Sequence, residues 1–118
     1  MVEKTLIIEQ GKIYWIDAEP HAGREEGGHS PRSGNIRRPV LVISNNRYNV
    51  GGMALVFPIT SIKKMSRYLL PLKLKKPSQI ILTQILGYDM VARRAKPSGF
   101  SVTSEQLDYL KQIVVHSV

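Results

Sequence analysis

At 118 residues, with 42% hydrophobic and 22% charged residues, the chain is long enough to bury one core without staples and has the composition of an ordinary globular domain. The lack of cysteine excludes disulfides and thiolate zinc sites and fits a reducing cytoplasm. Seventeen Lys and Arg against nine Asp and Glu give a net charge of +8, and no Asp or Glu occurs between Gly27 and Tyr88, so the middle of the chain should form a positive face that attracts polyanions.

The first ten residues carry Glu3 and Glu9 and no long apolar core, so no signal peptide is expected. No apolar run approaches the roughly 20 residues that a membrane helix needs, so no membrane partner is expected. Residues 11–17 open after Gly11, are rich in β-branched and aromatic side chains, and predict a first strand. Trp15, the single tryptophan, is expected in the core. The pattern collapses over 21–38, where Gly23, Gly27, Gly28, Gly34 and Pro31 predict a long loop. That loop carries Arg24, Glu25, Glu26, His29, Arg32 and Arg37, a mixture of acid, base and cation that suits a binding loop better than a linker.

Residues 40–44 predict a strand apolar on both faces, hence one in the middle of a sheet. A turn over 45–52 leads to a strand at 53–59, in which Pro58 suggests an edge position or a bulge. Thr60 and Ser61 end that strand, and Lys63 and Lys64 follow in a loop. Residues 68–74 predict a weaker strand interrupted by Pro71, 75–78 a turn, 80–86 a good strand and 88–92 a short one. Thr103-x-x-Gln106 is a capping-box pattern, Val102 and Leu107 form a hydrophobic staple, and Leu107, Leu110, Ile113 and Val114 make one apolar stripe, which predicts a helix over 104–116. Many short strands followed by one helix predict a mainly β fold, a small barrel with a C-terminal α-helix, spanning 1–118 as one domain.

His21, His29 and His116 are scattered, with no spacing that resembles a metal-ligand set. Neither a nucleotide phosphate loop nor a G-x-S-x-G elbow is present, and no cofactor is implied. Metal-free chemistry on a phosphodiester remains, because RNA supplies its own nucleophile in the 2′-hydroxyl. A protein then has to orient the backbone, move a proton and stabilise charge on the phosphoryl oxygens. If the strands after Arg37-Arg38-Pro39 and before Thr60-Ser61 are neighbours, a fixed cation and a hydroxyl meet at one rim of the sheet. From composition alone this is one option among several, and an arginine beside a hydroxyl is more often a plain phosphate-binding pair than a catalytic one.

The order of motifs resembles the MazF/PemK family of toxins from bacterial toxin–antitoxin pairs. The resemblance rests on Gly11-x-Ile13-x-Trp15-Ile16-Asp17 with Glu19-Pro20, Gly23-Arg24-Glu25-Glu26-Gly27-Gly28, Arg38-Pro39 with the run to Ser44, Phe57-Pro58-Ile59-Thr60-Ser61, and Ile80 to Gln84 with Asp89. It implies an SH3-like barrel of the CcdB/MazF/PemK type and a homodimer. It also implies a ribosome-independent endoribonuclease that cuts single-stranded RNA without metal, leaving a 2′,3′-cyclic phosphate and a 5′-hydroxyl. By position, Arg38 and Thr60 match the family's catalytic arginine and threonine, Glu25 matches its loop carboxylate, and Ser61 lies beside the threonine. Glu25 is the candidate general base and His29 its rival. Arg24, His29, Arg32, Arg37, Lys63, Lys64, Arg93 and Arg94, with Asn35, are candidates for RNA contact. Relatives usually join the Gly-Gly end of the loop almost directly to Arg-Pro, whereas residues 29–37 intervene here, and Glu26 stands where many relatives have glutamine. An acidic, partly disordered antitoxin is the implied protein partner. A CcdB-like gyrase poison and a barrel that binds nucleic acid without cutting it are the alternatives.

Overall fold

A strand can be apolar on both faces only if both faces are covered, and this fold covers both. The computed structural model describes residues 6–18, 37–61 and 68–117. Its strands are β1 (Lys12–Asp17), β2 (Arg37–Val42), β3 (Met53–Thr60), β4 (Leu69–Lys73), β5 (Pro77–Ile81), β6 (Leu86–Asp89) and β7 (Lys96–Ser101). A 3-10 turn at Tyr48–Gly51 joins β2 to β3, and α1 (Ser104–His116) closes the chain. All strand pairs are antiparallel, in the order β4-β5-β3-β2-β1-β7, with β6 also on β3.

The pleat separates two cores. Tyr14, Ile16, Val40, Val42, Ala54 and Val56 point to one side, where Ile8, Met90 and Ala95 join them. Ile13, Leu41, Ile43, Phe57 and Ile59 point to the other, where Ile80 and the fully buried Leu110 of α1 meet them. The period of two thus sorts each strand between the inside of a curled sheet and the side under the helix. The result is a mainly β half-barrel with one C-terminal helix.

Pro58 is not on an edge strand. β3 is central, with Met53 to Val56 paired to β6 and Ile59 and Thr60 paired to β5. Pro58 falls at the hand-off between those two partners, where neither ladder includes it, so its missing N–H breaks no ladder there. Pro71 does lie on an edge strand, β4, as its chemistry requires.

The expected strand over 80–86 divides into β5, which starts at Pro77 inside the expected turn, and β6, with a turn at Leu82 and Thr83 between them. β6 ends at Asp89, and Met90 to Arg94 form a turn where the short strand was expected to continue. β7 was not expected at all, because Pro97, Ser98 and Gly99 read as turn residues.

The helix follows its sequence signals closely. Thr103 Oγ1 accepts from the Gln106 amide at 3.1 Å, and the Gln106 side chain accepts from the Thr103 amide at 2.8 Å. Val102 and Leu107 pack on the helix-side core and close over Gly11. Gly11 itself has φ +84°, a conformation that favours glycine. Among the described residues no helix is long and apolar enough to cross a membrane.

Candidate active site

The site begins with a buried carboxylate. Asp17 ends β1 opposite Arg37, which starts β2, and is fully buried. A buried charge needs partners. Arg37 Nη1 donates to Asp17 Oδ1 at 2.6 Å, and Arg94 Nε donates to Oδ2 at 2.7 Å. These guanidiniums, Arg94 first and then Arg37, hold the carboxyl below its ordinary value of 3.8, against the opposing effect of burial. Arg37 Nη2 also donates to the carbonyls of Trp15 at 3.1 Å and Arg94 at 2.9 Å. Arg93 is fully buried over the Tyr88 ring and donates from Nη1 to the Asp17 carbonyl at 2.8 Å. Three arginines around one aspartate therefore tie the ends of β1 and β2 to the turn before β7.

Next to that tie lies a groove of about 650 Å³ at the rim of the sheet. β2 delivers Arg38 to it and β3 delivers Thr60 and Ser61. The ladder between these strands pairs Val40 with Pro58, and two residues further toward the rim stand Arg38 and Thr60. Beyond that last pair of the ladder, both residues line the groove. Arg38 is exposed, and among the described residues its guanidinium makes no hydrogen bond or ion pair. Lys75 and Lys76 flank the groove from the turn between β4 and β5, while Trp15, Pro39, Ile59 and Phe100 supply its apolar surface. No Asp or Glu is among the described lining residues, so two guanidiniums, two ammonium groups and the hydroxyl side chains of Thr60, Ser61, Ser78 and Ser98 line one space. Such a set can hold a phosphodiester and stabilise charge that develops on its oxygens.

The expected pairing of a cation with a hydroxyl at one rim is therefore how β2 and β3 are built, although Arg37 and Arg38 sit inside β2 and not at the end of a loop. The other candidates divide into three groups. Arg37 lines the groove, but its guanidinium is taken up by Asp17 and three carbonyls. Arg93 and Arg94, expected to contact RNA, do not line the groove; one is buried and the other is bonded to Asp17. Arg24, Glu25, Glu26, His29, Arg32, Asn35, Lys63 and Lys64 lie outside the described residues.

Trp15 corrects an expectation. It is 39% exposed, and it lines the groove instead of filling the core. It shares a face of β1 with Ile13, which lies in the core under α1, but sits two residues further toward the rim. Asp17, the next residue on that face, is polar, which was the one sign in the sequence that the face changes character. Lys75 and Lys76 were visible as part of the acid-free span but not as site residues. Phe100 had no sequence signal, because it sits in a segment that reads as a turn. Among the described residues no group of three or more His, Asp or Glu side chains gathers as a metal site.

Comparison with known proteins adds three findings. The family described as PemK-like, MazF-like toxin of type II toxin–antitoxin system matches residues 9–118. The endoribonuclease toxin ChpB of Escherichia coli (strain K12) is 32% identical over 97% of this chain and 99% of its own length. Solved structures of MazF and of a MazE–MazF complex from Deinococcus radiodurans share the fold, with TM-scores of 0.72 and 0.69 at 23% and 22% identity. Each covers 92% of this chain, and the chain covers 94% of the MazF structure and 92% of the matched chain in the complex.

Proposed function

The chain belongs to the PemK-like, MazF-like toxin family of type II toxin–antitoxin systems, and on that premise we propose that it is a single-domain endoribonuclease that cuts single-stranded RNA at short sequences without metal. The observation that carries the reading is the meeting of Arg38 and Thr60 at one cationic groove. The similarity to a curated endoribonuclease toxin along nearly the whole chain supports it.

In this reading the groove holds one RNA phosphate with the neighbouring ribose in line. The 2′-hydroxyl oxygen attacks phosphorus, a 2′-O–P bond forms and the P–O5′ bond breaks. The products are a 2′,3′-cyclic phosphate and a 5′-hydroxyl. Arg38 forks onto the non-bridging oxygens as their charge grows, a task its permanent charge suits and for which a base is not needed. The Thr60 hydroxyl donates a further hydrogen bond, and Ser61 stands beside it. Glu25, or His29 in its place, takes the 2′-hydroxyl proton, and a proton is returned to the 5′-oxygen.

The toxin works in the cytoplasm as a homodimer and is restrained by an acidic, partly disordered antitoxin that folds across the cationic groove. Structural similarity to the MazE–MazF complexes of Deinococcus radiodurans supports such a partner. The test is incubation of purified protein with a long single-stranded RNA, with Arg38→Ala and Thr60→Ala in parallel. Discrete cuts that collapse in both variants support the proposal. Intact RNA at high protein concentration, with gyrase stalled instead, would replace it with the gyrase-poison alternative.

A further inference from the structure

Trp15 and Phe100 face the same groove as Arg38, and both are built to face it. Trp15 has strand neighbours on both sides, Pro39 in β2 and Lys96 in β7, so its backbone is fixed. The Arg37 guanidinium further holds the Trp15 carbonyl. Yet Trp15 is 39% exposed. Phe100, 37% exposed, owes its place to an irregularity. Between the paired points Tyr14–Pro97 and Lys12–Ser101, β7 has two residues more than β1. The excess is taken up at Gly99, whose φ of +85° favours glycine and whose surroundings are open. Ser98 fastens the bulge, donating from Oγ to the Ile13 carbonyl at 2.6 Å and accepting from the Phe100 amide at 3.1 Å. A bulge of this kind re-aims a side chain, and here the side chain is an aromatic ring pointed at the site.

We propose that Trp15 is a nucleobase-stacking subsite: one base of the bound RNA leaves its own stack and lies against the indole, with Phe100 as a second wall. The phosphates on either side of that base meet Arg38, Lys75 and Lys76. The proposal rests on the ribonuclease reading and adds where the base is held. Charge complementarity and shape choose the occupant. The groove offers flat aromatic surface beside cations and, among the described lining residues, no acid. A single strand of nucleic acid carries a π face and an anionic phosphate at every step, so it satisfies both features at once. An acidic peptide matches the cations but brings a flat ring only where it happens to carry an aromatic residue.

Trp15 is the only tryptophan, so protein emission reports on this subsite directly. The experiment titrates the full-length protein with a mixed-sequence 2′-deoxy oligonucleotide of about a dozen nucleotides, which offers no 2′-hydroxyl and cannot be cut. An abasic strand of equal length and charge is the comparison. The expected result is saturable quenching by the first strand, with the abasic strand binding more weakly and leaving emission unchanged. In parallel, Trp15→Leu should weaken binding of a dye-labelled oligonucleotide by about 5- to 150-fold, the range that loss of one stacked base gives. Trp15→Phe should restore most of that binding, and Phe100→Leu should cost less than Trp15→Leu.

Equal quenching by the abasic strand would overturn the proposal, because phosphates alone would then account for it. RNA that is bound and cleaved with Trp15 emission unaffected would overturn the subsite and leave the ribonuclease reading in place. RNA that is neither bound nor cleaved would remove the reading beneath it. Quenching by an acidic peptide but not by the oligonucleotide would assign the groove to a protein partner. Should Trp15→Leu fail to fold, the quenching of the natural protein decides the matter alone.

Discussion

Replacing Asp17 with Asn removes a buried negative charge while keeping the side chain's size. In the natural protein the carboxylate accepts from Arg37 at 2.6 Å and from Arg94 at 2.7 Å, and it is fully buried. Breaking one side of a fully buried ion pair costs about 3–5 kcal/mol. Here both arginines reach water, with 29% of the Arg37 side chain and 65% of the Arg94 side chain accessible, so their charges can rehydrate. The loss is then dominated by the half-buried contact with Arg37, and about 2–3 kcal/mol is expected. Urea unfolding at neutral pH should show it as a fall in midpoint of about 1 M or more.

The pH dependence gives a sharper test. Because the folded-state pKa of Asp17 is depressed, its contribution is fully present above the ordinary value of 3.8 and is lost as pH falls through the lower folded value. The gap in stability between the natural protein and Asp17→Asn should therefore be constant from neutral pH down to about pH 5, begin to narrow near pH 4 and close only in stronger acid. A gap that stays constant into strong acid, or one below about 0.5 kcal/mol at neutral pH, would refute the ionic tie as described.

Four further outcomes follow from the same geometry. Arg38→Lys keeps the charge but loses the fork, so single-turnover RNA cleavage should slow by about 10- to 100-fold while thermal unfolding is unchanged, the side chain being exposed. Lys75→Ala and Lys76→Ala should each reduce the slope of log affinity against log salt for a single-stranded oligonucleotide by about 0.7, the value of one phosphate contact. Thr103→Ala deletes the capping hydroxyl of α1 and should lower stability by about 1 kcal/mol in urea unfolding. Gly11→Ala forces a side chain into φ +84° and sets its Cβ 3.4 Å from Leu107 Cδ2, so a loss of about 1–2 kcal/mol is expected by the same measurement.

Local signals made most of this fold legible, and long-range pairing hid the rest. The capping box and apolar stripe of α1 appear in the structure as the sequence wrote them, because a helix is closed by bonds within a few residues. The doubly apolar run after Arg38 marked a central strand, because only a strand covered on both faces can afford it. Pro58 misled because a strand can change partner partway along, and a proline at that point loses no ladder bond. β7 was invisible because it is held by β1 and by a serine-fastened bulge, whereas Pro97-Ser98-Gly99 favours a turn locally. Arg93 and Arg94 looked like free surface cations, since a sequence cannot tell an arginine that meets a phosphate from one that meets a buried aspartate. That Arg38 and Thr60 come to one groove was legible because each stands at an end of its own apolar run, and adjacent antiparallel strands bring such ends to one rim.

The central claim is that RNA's own 2′-hydroxyl is the nucleophile in a groove organised by Arg38 and Thr60. The most direct measurement is cleavage, in excess EDTA, of an RNA whose cut site has been mapped, against the same RNA with a single 2′-deoxy substitution on the 5′ side of the scissile phosphate. The account predicts a cut that persists in EDTA, leaves a 2′,3′-cyclic phosphate and vanishes with that one oxygen. Cleavage that survives the substitution, or that yields a 5′-phosphate, would contradict it.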